Sequence, residues 1–120
     1  MHFVLEYVLI KMTKNWVDAR AYCVLGGGDL VSFSTKEEQD EALSIIGEAK
    51  GSWIGLNDLE NEGKFEWSDG SKDVWRNHWK KGEPNGGKRE NCVCFSFSQY
   101  PRWADISCSK KRSFICKYYA

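Results

Sequence analysis

The chain has 120 residues and no formal net charge, 17 Lys plus Arg balancing 17 Asp plus Glu, with 42% apolar residues and six tryptophans. That composition suits one globular domain over residues 1–120 and excludes a disordered chain. The balanced charge exerts no general pull on nucleic acid, and no apolar run approaches the roughly 20 residues of a membrane-inserted helix.

Phe3 to Lys11, rich in Val, Leu, Ile and Tyr, predicts a strand. Asn15 then caps a helix in which Trp16, Ala19 and Cys23 recur at i, i+3 and i+7, and Gly26-Gly27-Gly28 ends it. Leu30, Val31 and Phe33 form a short buried connector. Both Ser34 to Glu37 and Thr35 to Glu38 have the spacing of a capping box, which opens a second helix running to about Ile46 with Leu43 and Ile46 inward. Gly47 and Gly51 bracket its end.

The second half is strand and loop. Trp53-Ile54-Gly55-Leu56 is an apolar strand; turns follow at Asn57-Asp58 and Asn61-Glu62-Gly63; Phe65-Glu66-Trp67 alternates into the turn Ser68-Asp69-Gly70. Lys72 to Arg89 lacks periodicity, and a loop that long in a compact domain is usually functional. Strands are predicted over Asn91–Phe97, Trp103–Ser107 and Arg112–Tyr119. Helices first and strands afterwards give an α+β class with antiparallel sheets.

The chain has five cysteines: Cys23, Cys92, Cys94, Cys108 and Cys116. An odd number implies two bridges and one remaining thiol, an oxidising compartment and hence secretion. Five choices of the odd cysteine times three connectivities leave the pairing open. A reduced chain with buried thiols is the rival, and zinc is a weaker one because Cys92-x-Cys94 is not a C-x-x-C pair and His2 and His78 are isolated.

Taken in order, these segments resemble the C-type lectin-like domain over nearly the whole chain. Trp16-Val17-Asp18-Ala19 leading to Cys23 is similar to the family's first helix, Trp53-Ile54-Gly55-Leu56 to its core strand, and Trp67-Ser68-Asp69-Gly70 to the next turn. Glu83-Pro84-Asn85, Cys92, Trp103-x-Asp105 and Cys108 are similar to its long-loop region, and Cys116 to its last strand. The resemblance implies the C-type lectin-like fold with a long ligand-binding loop, bridges Cys23–Cys116 and Cys92–Cys108, and Cys94 left as a free thiol.

It also implies a calcium site that holds sugar. Calcium takes six to eight oxygen ligands and accepts hydroxyls among them. A carboxylate on calcium keeps a lone pair for a hydrogen bond, and an amide bound through its oxygen keeps N–H donors. A Glu–Asn pair therefore grips one sugar hydroxyl as acceptor and donor together. The implied ligands of both metal and carbohydrate are Glu83, Asn85, Glu90 and Asp105, with a cis Pro84 aiming its neighbours at the metal. The order Glu-Pro-Asn resembles mannose, glucose, N-acetylglucosamine and fucose binders, whereas galactose binders carry Gln-Pro-Asp. An accessory metal site is matched in part by Asp58 and Glu62, with Asn91 as a substitute ligand; the plainer account makes Asp58 and Glu62 turn and surface residues.

The chain departs from the family at Ala104, where the pattern has Asn, so one calcium oxygen and one sugar-facing donor are missing. Two functions are therefore expected in competition. One is a secreted, calcium-dependent module for glycans, microbial surfaces among them; the other is a lectin-like domain that binds protein or another non-sugar ligand without calcium. Lys80-Lys81, Lys88-Arg89 and Lys110-Lys111-Arg112 are basic clusters, solvated surface or a preference for anionic polymers. Trp75 and Trp79 are expected as buried anchors, and Tyr100 as a sugar platform or core cover. With His78 the only internal histidine and no nucleophile spaced to it, no enzyme is expected. The oligomeric state is not encoded in any pattern found.

Overall fold

In the computed structural model, residues 4–72, 84, 90–97 and 102–119 are described. The elements run β1 (Val4–Lys14), α1 (Trp16–Leu25), β2 (Gly28–Leu30), α2 (Lys36–Ile46), β3 (Trp53–Asn57), β4 (Glu66–Trp67), β5 (Cys92–Phe95), β6 (Trp103–Ile106) and β7 (Arg112–Tyr119). The fold is α+β. Its strands join in the order β1-β7-β3-β5-β6, with β2 added to β7 and β4 to β3. Every pairing is antiparallel except β3 with β7, where Trp53 faces Phe114.

Local chemistry sets both helices. Asn15 Oδ1 accepts from Asp18 N at 2.8 Å and opens α1, whose Trp16, Ala19 and Cys23 are buried. The Trp16 indole N–H reaches Ile54 O at 2.9 Å, and Trp16 N donates to Cys108 O at 3.0 Å, so the helix start is fixed to the sheet twice. In α2 the cap is Thr35, not Ser34: Thr35 Oγ1 accepts from Glu38 N at 3.1 Å, and Glu38 Oε2 accepts from Ser34 N at 3.3 Å. The inward face also differs from expectation. Gln39 and Ala42 are the fully buried residues, while Leu43 and Ile46 pack at the margin.

Gln39 is inside because Trp103 needs it. The Trp103 indole N–H donates to Gln39 Oε1 at 2.9 Å, both residues being fully buried. Trp103 meets Trp67 edge to face at 5.5 Å, and Trp67 meets Phe33 the same way at 6.1 Å. This aromatic chain, with Phe95 and Val93, is the larger core; a second cluster around Trp16, Trp53 and Phe114 encloses the bridges. Gly55 sits where the two meet, and a Cβ there would lie 2.8 Å from Ser68 Oγ and 3.0 Å from Val31 O.

Cys23 is bonded to Cys116 and Cys92 to Cys108, the pairs that the resemblance implies. Cys94 is buried and stands outside both bridges.

A polar network ties the last strand to the turns. Lys117, only 5% exposed, donates to Ser32 O at 3.0 Å and to Glu38 Oε1 at 3.0 Å. Ser32 Oγ donates to Asp69 Oδ2, which also accepts from the Tyr119 hydroxyl at 2.8 Å, while Asp69 Oδ1 accepts from Ser71 N at 2.9 Å. Burial pushes the Asp69 carboxyl up, but donation by Ser32, Ser71 and Tyr119 outweighs it and holds the group below the usual carboxylate range. A depressed carboxylate contributes stability above its unfolded value, about 3.9, and loses it as pH falls through the folded one. Asp69→Asn is therefore expected to flatten the fall in stability below about pH 4. Urea unfolding at pH 7, 4 and 3 reads this directly; an acid limb as steep in the variant as in the parent would contradict it.

Candidate functional site

Two strand ends carry the residues of interest. β3 ends at Asn57, which faces Cys92 at the start of β5. Asp58 and Asn91 follow and precede those residues, and Asp58 N donates to Asn91 O at 3.0 Å. The turn after β3 folds back on Asp58, whose Oδ2 accepts from Gly63 N at 2.8 Å. Asp58 is 3% exposed, and its other oxygen, Oδ1, is buried with no hydrogen-bond partner among the described residues. Asn91 Oδ1 is buried as well. On the sequence, Asp58 is either a turn and surface residue or a ligand. Its burial decides against a mere surface position: a buried carboxylate oxygen lacking a donor is costly unless a cation or other partner meets it.

Glu62 lies in that turn and is exposed; Glu90 is half-buried, one residue before Asn91. On β6, Asp105 faces Val93 and is 2% exposed, on the same side as Trp103. Ala104 faces Cys94 on the other side and is half-buried. β5 and β6 thus place Glu90, Asn91 and Asp105 on neighbouring segments, held by the Cys92–Cys108 bridge and by the Trp103–Gln39 bond.

Glu83 and Asn85 lie outside the described residues, as do Trp75, Trp79 and Tyr100; of the Glu-Pro-Asn segment only Pro84 is described, and it is exposed. Among the described residues no three His, Cys, Asp or Glu side chains converge to hold a metal. The donors that are described are all oxygen ligands, the type that suits calcium. No helix among them is long and apolar enough to cross a membrane.

Two capped helices packed on a mostly antiparallel sheet, two bridges, and polar residues gathered at the ends of β3 and β5 define a lectin-like binding domain. The chain belongs to the C-type lectin family: the model of the lectin C-type domain matches residues 12–118. Members of this family are non-enzymatic binding proteins. The chain is 42% identical over 123 residues to the low affinity immunoglobulin epsilon Fc receptor of Mus musculus, covering all of this chain and 36% of that protein. Among solved structures it resembles the cow C-type carbohydrate-recognition domain of CD23, crystallised in the presence of a GlcNAc2Man3 oligosaccharide. That likeness has a TM-score of 0.81 and 38% identity, over 95% of this chain and 87% of the other. A calcium-independent type II antifreeze protein is as similar in fold, with a TM-score of 0.85 and 27% identity over 95% of this chain and 85% of that one. The chain thus spans about a third of the mouse receptor's length.

Proposed function

We propose that this domain is a calcium-dependent carbohydrate-binding module, secreted, with a preference for mannose-type hydroxyl pairs. The observation that carries the reading is Asp58 Oδ1, a buried carboxylate oxygen with no hydrogen-bond partner among the described residues, on a residue whose backbone is bonded to that of Asn91. A divalent cation would satisfy it, and the donor chemistry fits calcium: Asp58, Glu62, Glu90 and Asn91 around the strand ends, and Glu83, Asn85, Glu90 and Asp105 for the sugar-bearing ion. When bound, calcium supplies an electrophilic centre that accepts two neighbouring sugar hydroxyls as ligands. The carboxylates of Glu83 and Glu90 accept hydrogen bonds from those hydroxyls, and the Asn85 amide donates one. Asp105, buried on β6, adds negative charge. The related cow domain, crystallised with an oligosaccharide that contains mannose, supports this reading; glycans of microbial surfaces are within the same chemistry.

A second reading rests on Ala104, which offers no oxygen. The domain then binds protein or another non-sugar ligand without calcium, as the calcium-independent antifreeze relative supports. Calorimetry separates the two. Calcium is expected to bind at millimolar concentration or below and to raise the melting temperature; methyl α-mannoside binds afterwards and galactose binds less. Restoring the missing amide by Ala104→Asn should tighten mannoside binding about ten- to hundredfold, the value of a charge-assisted hydrogen bond of about 1.5–3 kcal/mol. No heat and no thermal shift with millimolar calcium would sink the first reading.

A further inference from the structure

We propose a second binding site at the opposite end of β3: an open groove that takes an acidic peptide segment of a partner protein, carboxylates flanking one apolar side chain. The groove has a volume of about 600 Å³, within the range of ligand sites. Its floor is apolar, built from Leu9, Ile46 and Phe97. Phe97 is 64% exposed, yet it is held in place. Its ring lies so close over Gly51 that a Cβ there would come within 2.4 Å of it, and the Arg112 guanidinium carbon sits 4.9 Å from its centre. Gly51 has φ +78°, the left-handed region glycine favours, and its N–H donates to Phe95 O at 2.8 Å, so the platform belongs to the sheet.

The rim is basic. Lys11, Lys50, Lys111 and Arg112 line it against one carboxylate, Glu48, whose Oε1 already accepts from Lys50 N at 3.0 Å. Among the described residues Lys11, Lys50 and Lys111 form no ion pair. Lys11 comes from an irregular stretch of β1. Ile10 faces Phe114 and Lys14 faces Arg112, so residues 11–13 oppose Ser113 alone. Such bulges re-aim side chains and recur next to binding sites.

An apolar platform ringed by several separated cations matches several carboxylates around one apolar side chain. A sulfated polysaccharide would satisfy the rim, but its hydroxylated, sulfated rings offer Phe97 less apolar surface than a leucine side chain does. The site is separate from the proposed calcium site. Gly51 lies just before β3 and Asp58 just after it, roughly 20 Å of extended chain apart. β1 and β6, which carry Lys11 and Asp105, are the two ends of the strand order.

The test is a titration of the isotope-labelled domain with the blocked peptide acetyl-Glu-Glu-Leu-Glu-Glu-amide in EDTA, read by amide NMR shifts. Shifts are expected at Gly51, Phe97, Lys111 and Ser113. The double substitution of half-buried Lys50 and exposed Lys111, Lys50→Glu/Lys111→Glu, should weaken binding at least tenfold, and Phe97→Ser at least threefold, with the remaining amide spectrum unchanged. A peptide with Ser in place of Leu should bind more weakly. The proposal is overturned if those amides do not move at millimolar peptide, if charge reversal leaves the affinity unchanged, or if the peptide requires calcium. It is equally overturned if a heparin oligosaccharide moves the same amides and the peptide does not.

Discussion

Trp103→Ala should cost on the order of 5 kcal/mol and leave the domain unfolded or nearly so at 37 °C. Truncating a fully buried tryptophan typically costs 3–5 kcal/mol through lost transfer energy and the cavity left behind. Here the loss also removes the indole donor that Gln39 Oε1, on a fully buried side chain, meets at 2.9 Å, and a lost buried hydrogen bond adds about 1 kcal/mol. The edge-to-face contact with Trp67 goes as well. Domains of this size hold only 5–15 kcal/mol in total. Urea unfolding followed by circular dichroism reads the loss, and Trp103→Phe separates its parts. Phenylalanine keeps most of the packing but removes the donor, so it should cost roughly 1–3 kcal/mol. A Trp103→Ala loss below about 2 kcal/mol would mean that the core closes around the gap and that the Gln39 bond counts for little.

The second large effect is the loss of the Cys23–Cys116 bridge. Its partners are 93 residues apart, against 16 for Cys92–Cys108. In the chain-entropy model the long loop is worth about 4.5 kcal/mol and the short one about 3. Paired Cys→Ala substitutions should therefore lower the urea midpoint more for the first bridge. The two should rank the other way at the proposed calcium site. Cys92 directly follows Asn91, so its removal should weaken calcium binding while Cys23→Ala/Cys116→Ala leaves the folded fraction competent. Equal midpoints for the two variants would refute the entropic account, and unchanged calcium affinity without Cys92–Cys108 would uncouple that bridge from the site.

Much of the fold was legible because its signals are local. Asn15 and the spacing of Trp16, Ala19 and Cys23 set α1, and glycines close both helices. What the chain hides is every polar group buried for a distant partner. Gln39 is a poor candidate for a core residue by helical period, and only Trp103, 64 residues later, explains it. Lys117 belongs to the same class: a lysine in a strand looks solvated until Ser32 and Glu38 surround it. The site divides in the same way. Residue types and order near Glu90, Asn91 and Asp105 suggest oxygen ligands, but the burial of Asp58 Oδ1, with no hydrogen-bond partner among the described residues, is legible only in the structure. The groove at Phe97 had a single trace in the sequence, the cluster Lys110-Lys111-Arg112, with nothing to join it to Lys11 and Lys50.

The pairing of Val4 with Tyr119 brings the first and last strands together at one edge of the molecule. A pull on the two ends therefore peels β1 from β7 one rung at a time, a weak arrangement. The peeling is short, because tension follows the shortest covalent route and crosses from Cys23 to Cys116. Residues 24–115 lie inside that loop and carry no load. Asp58, Glu90, Asp105 and Phe97 are all among them, so the proposed calcium site keeps its fold under a force that frays the seam, whereas the groove, whose Leu9 and Lys11 lie on β1, comes apart.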